Sequence, residues 1–128
     1  MSTLPPRPRF FAQFLFYWLP VLLYVTIIAV LSSQPNLKPP IKDSDKFWHA
    51  LEYFGLGILM ARAIRASLRV RDPLLAALIA LVICVLIGGG DEFYQSFIPG
   101  RDSSLYDLLA DAAGGALAQF VYLWFARD

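Results

Sequence analysis

Apolar positions along the chain fall into four long stretches separated by short polar segments. Residues 10–31 include 22 positions without a single charge. As a helix this run measures roughly 33 Å, enough to cross a hydrocarbon core of about 30 Å. Gln13 and Pro20 are its only awkward residues, and proline is tolerated in spanning helices. The run is too long for a cleaved signal peptide, and Ser32-Ser33-Gln34-Pro35 after it reads as a turn, so a retained helix is expected. Residues 74–90 are almost wholly aliphatic, begin after Asp72-Pro73 and end in three glycines. Two further stretches are apolar but interrupted: 47–64 carries His49 and Glu52, and 105–126 carries Asp107, Asp111 and Gln119. The pattern predicts an all-α, four-helix transmembrane bundle in one domain over 1–128, with helices at about 10–31, 46–66, 74–97 and 105–126.

Composition agrees with a membrane setting. Hydrophobic residues make up 58%, charged residues 16%, and the mean hydropathy is +0.56. Soluble domains carry about 45–50% apolar and about 25% charged residues. Disorder is excluded by this hydrophobicity, and the net charge of +1 gives no basic excess for nucleic acid. The single cysteine, Cys84, excludes an internal disulfide and a cysteine-cluster metal site.

Basic residues set the expected orientation. Arg7, Arg9, Arg62, Arg65, Arg69, Arg71 and Arg127 fall on one side, against Lys38, Lys42, Lys46 and Arg101 on the other. The positive-inside rule then puts both termini and the middle connection in the cytoplasm, with 32–45 and 98–104 outside. Phe10, Phe11, Phe14, Phe16, Tyr17 and Trp18 read as an interfacial anchor, and Arg65, Arg69 and Arg71 as contacts to anionic lipid.

Alternating chain direction brings three polar segments to the outer face. The second helix opens with Asp45, His49, Glu52 and Tyr53 at i, i+4, i+7 and i+8. The third ends with Asp91, Glu92 and Gln95, two adjacent acids at a helix end that disfavours them; Arg101 beyond Pro99-Gly100 is their expected counter-ion. The fourth opens with Asp107 and Asp111 on a face continued by Gly114, Gly115 and Ala118, small residues that permit close helix approach.

Read in order, Asp45-Lys46-x-x-His49-x-x-x-Tyr53, Asp91-Glu92-x-x-Gln95-x-x-x-Pro99-Gly100-Arg101 and Asp107-x-x-Ala110 followed by Gly114 resemble the VanZ-like family, as does Ser32-Ser33-Gln34. The resemblance covers nearly the whole chain. One position departs: the family usually has Asn where this chain has Asp111. The resemblance implies a small multi-pass protein of the bacterial cytoplasmic membrane, related to a founding member associated with low-level teicoplanin resistance. It supplies no reaction.

Three functional classes fit these residues, in this order. The first is a binding module for an envelope lipid head group or a glycopeptide, with Asp45, Tyr53, Gln95, Arg101, Asp107 and Asp111 as ligand contacts and Arg101 clasping a phosphate or carboxylate. The second is a membrane-embedded hydrolase in which a divalent metal activates water, with His49, Glu52, Asp91 and Glu92 catalytic. The third is a proton-coupled carrier, which in four helices requires a homodimer. Plainer assignments stand beside them. His49 packs and bonds to Asp45, Glu52 pairs with Lys46 or Arg101, Asp45 and Asp107 cap helices, and Arg101 neutralises Asp91 and Glu92.

Overall fold

A computed structural model describes residues 10–35, 41 and 44–126. Arg7, Arg9, Lys38, Lys42 and Arg127, used above to orient the chain, lie outside the described residues. Those described form four α-helices and no strand: α1 Phe10–Ser32, α2 Asp45–Ser67, α3 Pro73–Gln95 and α4 Leu105–Phe125.

Local chemistry sets most of the helix ends. Pro73 occupies the first turn of α3, and the Asp72 carboxylate accepts from the Leu74 N–H at 2.9 Å. Ser104 caps α4, its Oγ accepting from the Asp107 N–H at 3.2 Å. Asp107 is therefore not the cap expected from the sequence; the serine three residues earlier does that work, and the Asp107 carboxylate pairs with Lys46 instead. Asp45 is likewise the first helical residue of α2, preceded by Ser44 at the cap position. Ser44 Oγ makes no capping bond; it donates to the Ile41 carbonyl and accepts from Trp48 Nε1 at 3.1 Å. The third helix, expected to reach residue 97, stops at Gln95. Beyond it Phe97, Ile98 and Arg101 bond three residues back, and Gly100 takes φ 79°.

The helices run up and down. Trp18 near the start of α1 donates to Ser67 Oγ at the end of α2, at 2.5 Å, and the Arg62 guanidinium lies 4.8 Å from the centroids of the Phe16 and Tyr17 rings. At the opposite end Ser32 of α1 meets Asp91 of α3, and Lys46 of α2 meets Asp107 of α4.

Packing rests on small residues. A Cβ on Gly57 would lie 2.6 Å from the Ala118 Cβ, and one on Gly115 would lie 3.6 Å from the Cys84 Cβ. The first contact brings α2 and α4 together and the second brings α3 to α4, and α2 is the most enclosed helix, with Tyr53, Leu56, Met60, Ala61, Ala63 and Ile64 buried. Large apolar side chains cover the outside, among them Phe11, Phe16, Leu86, Phe120 and Phe125.

Helices α1, α3 and α4 are long and apolar enough to cross a membrane. The fourth expected span, α2, does not meet that standard. It carries Asp45, Lys46, His49, Glu52, Arg62 and Arg65. Its position among the other helices explains this, because a helix turned inward needs less apolar surface than one facing lipid.

Candidate functional site

The end of the bundle formed by the end of α1, the start of α2, the end of α3 and the start of α4 holds three linked polar groups. The deepest joins α2, α3 and α4. His49 Nδ1 lies 2.8 Å from Asp111 Oδ1 and 3.7 Å from Glu92 Oε1. The three residues are 8%, 0% and 5% exposed, so this contact is closed to bulk solvent. The other Glu92 oxygen is anchored: Oε2 accepts from Ser103 Oγ at 3.3 Å and from the Ser104 N–H at 3.4 Å. Asp111 fits because α3 presents Gly88 there; a Cβ at that position would lie 3.1 Å from Asp111 Oδ2.

The second group lies nearer the surface. The Lys46 ammonium pairs with Asp107 and also with Asp45 Oδ2 at 3.3 Å. Asp45 Oδ1 sits 3.9 Å from His49 Nε2, so one histidine ring faces a carboxylate on each side. The third group joins α1 to α3. Ser32 Oγ donates to Asp91 Oδ2 at 2.7 Å, and Gln95 Nε2 reaches Ser32 Oγ at 3.1 Å and Asp91 Oδ2 at 3.2 Å.

Every residue expected at the site lies at this end, but the pairings differ. Asp91 and Glu92 are not a paired acid couple. Successive helical residues point about 100° apart, and here Asp91 turns toward α1 while Glu92 turns toward α4. His49 is bonded to Asp111 across the bundle, with Asp45 one turn away at the longer distance. The Arg101 charge acts on Asp91 and on Glu52. Glu52 is half-buried, and its backbone carbonyl accepts from Tyr24 Oη of α1 at 2.8 Å. Tyr53, fully buried, lies within reach of the charges of Asp111, Asp91, Glu52 and Glu92.

Three buried oxygens at this end, Tyr53 Oη, Glu92 Oε1 and Asp111 Oδ2, have no hydrogen-bond partner among the described residues. Such groups are costly in a low-dielectric interior and call for a ligand, a proton or a water. The chain belongs to the VanZ/LLP1 family. That family's model matches residues 8–126, which include all three polar groups. The chain is also 29% identical over 110 residues to the uncharacterized protein C11E3.10 of Schizosaccharomyces pombe, covering 84% of this chain and 65% of that protein. It thus spans just under two thirds of that relative's length. No solved structure matches it.

In this VanZ/LLP1 chain three serines complete the site without having been singled out as site residues: Ser32, Ser103 and Ser104. Ser32 was visible as part of a turn and of the Ser32-Ser33-Gln34 resemblance, and a serine near a helix end carries little signal of its partner by itself. Its role is testable. Ser32→Ala removes a charge-assisted bond to Asp91 and should destabilise the protein by about 1–2 kcal/mol. Ser33→Ala, whose hydroxyl bonds the Val30 carbonyl in the last turn of α1, should change little. Thermal unfolding of the two variants in the same detergent makes the comparison, and equal shifts would remove Ser32 from the site.

Proposed function

We propose that this protein binds the polar head group of a membrane lipid at the outer face of a bacterial cytoplasmic membrane, with both chain termini inside. The orientation is supported by Arg62, Arg65, Arg69 and Arg71, which gather at the end of the bundle away from the site. The observation that carries the reading is the set of unpartnered buried oxygens, Tyr53 Oη, Glu92 Oε1 and Asp111 Oδ2, at the end of a helix pair that also carries an apolar groove. The groove has a volume of about 390 Å³ and runs between α2 and α4, lined by Phe47, Ala50, Phe54, Ala113 and Leu117 among others. It begins within one helical turn of His49 and Asp111. An acyl chain suits it, since its lining is apolar and belongs to helices read as lying in the bilayer.

The chemistry of the head group follows from the acceptors. Glu92 Oε1 and Asp111 Oδ2 require donors, so hydroxyls are favoured, while Lys46 and Arg101 supply the positive charge a phosphate needs. A phosphatidylglycerol fits both demands; a phosphatidylcholine offers no donor. The apolar groove favours such a lipid over a glycopeptide, and the link to teicoplanin resistance is a proposal of the same kind.

Photolabelling by lipids carrying a diazirine in the acyl chain tests the reading. Phosphatidylglycerol should label the purified protein at least about fivefold more than phosphatidylcholine, a discrimination of about 1 kcal/mol. Ala113→Trp, which fills the groove, should abolish the difference, and Leu86→Trp, on the exposed side of α3 away from the groove, should preserve it. Equal labelling by both lipids overturns the proposal. Displacement of the label by teicoplanin would replace the lipid with the glycopeptide, and release of a cleaved head group would replace binding with hydrolysis.

A further inference from the structure

We infer that His49, Glu92 and Asp111 form a binding site for one divalent transition-metal ion of the Zn²⁺ or Mn²⁺ class. One donor atom from each of the three residues lies within 4.8 Å of the others, and all three residues are buried. Ligand atoms held at about 2.1 Å from a common ion sit roughly 3.0–3.4 Å apart. The His49 Nδ1 distances of 2.8 Å to Asp111 and 3.7 Å to Glu92 bracket that range.

An acidic cluster alone would not justify an ion, and a separate group supports it. Tyr53, 0% exposed and one helical turn beyond His49, has a hydroxyl with no partner among the described residues. The charges of Asp111, Asp91, Glu52 and Glu92 act on it, and an ion-bound water would supply the missing hydrogen bond. The donors are also prepared from behind. Ser103 and Ser104 hold one Glu92 oxygen and leave the other free. Asp45 stands on the far nitrogen of His49, as outer carboxylates do behind metal-bound imidazoles.

Charge balance points the same way. Among the described residues, Asp45, Glu52, Asp91, Glu92, Asp107 and Asp111 share this end with Lys46, Arg101 and one histidine. Lys46 is engaged with Asp107 and Asp45. A divalent ion offsets the two fully buried carboxylates, Glu92 and Asp111, directly. One imidazole with two carboxylates suits Zn²⁺ better than Mg²⁺ or Ca²⁺, which prefer all-oxygen sets, and Mn²⁺ serves as the spectroscopic stand-in. Three protein ligands leave positions open for water or a head-group oxygen. The ion is held by protein atoms alone, so the inference does not rest on lipid binding.

The test uses the full chain in mild detergent, purified on a histidine-free tag and stripped with chelator. Calorimetric titration with Zn²⁺ should show one site per chain. Glu92→Gln and Asp111→Asn should each weaken binding at least tenfold, while Asp102→Asn, in the exposed loop nearby, should leave it unchanged. Bound Mn²⁺ in the unaltered protein should show a single ¹⁴N coupling by electron spin echo, because His49 is the only histidine. That measurement needs no variant to fold. Failure of the unaltered protein to bind, binding indifferent to both substitutions, or Mn²⁺ without nitrogen coupling each overturns the site. Lipid photolabelling is read separately, so either proposal can fail without the other.

Discussion

Gly114→Ala is expected to lower the melting temperature in mild detergent by roughly 4–12 °C, the effect of overpacking by about 1–3 kcal/mol. The added Cβ would lie 2.7 Å from the carbonyl carbon of Ala50 and 2.9 Å from its Cα. These are backbone atoms of α2, so no rotamer change relieves the contact. The two helices must move apart along their whole contact. That movement loosens the Gln119 Nε2 bond to the Gly57 carbonyl, 3.1 Å, and the His49 bond to Asp111. In a bilayer the helices gain little from hydrophobic burial against each other, so close approach carries much of their association. Gly90→Ala is the matched control, because a Cβ there meets nothing within 4 Å. Unfolding followed by intrinsic tryptophan fluorescence separates the two variants. Identical melting temperatures would show that α2 and α4 do not approach at Gly114.

How much of this was legible beforehand depends on whether a feature is periodic or spatial. The charge-free run at 10–31 marks α1 because lipid tolerates no charge along a spanning surface. The i, i+4 arithmetic places Asp107, Asp111, Gly114 and Ala118 on one face of α4, and all four are buried. Periodicity does not say what that face meets. That Asp111 opposes His49 and Gly114 opposes Ala50 depends on the register between two helices 62 to 64 residues apart in sequence. The same limit explains Asp91 and Glu92. Adjacent in sequence, they looked like one acid pair, yet they serve different neighbours. Helix ends were misread where a serine did what an aspartate was expected to do, at Ser104, and where short-range turn bonds ended α3 two residues early. The weak apolar character of α2 is the most instructive case. Its charges made it look like an interrupted span, and they are there because it is the helix the others surround.

The pairing of His49 with Asp111 leads to the other large expected effect. His49→Leu strips the hydrogen bond from a carboxylate that is 0% exposed, and breaking a buried pair in this way costs about 3–5 kcal/mol. Asp111→Leu should cost a similar amount by leaving the imidazole between Asp45 and Glu92 without its nearest partner. The double variant replaces both polar groups with apolar ones. It should be more stable than either single variant, because an apolar contact of similar volume is tolerated where a half-broken pair is not. Denaturation of all four proteins closes the cycle, and a double variant more stable than either single one corresponds to an interaction energy of at least about 3 kcal/mol; strictly additive losses would mean that the two side chains do not interact. The cycle also separates packing from function. If the pair serves only to hold α2 against α4, restoring stability in the double variant restores everything the protein does. If it serves a ligand, the double variant regains its fold and still fails to bind Zn²⁺, because the two donors that face Glu92 are gone.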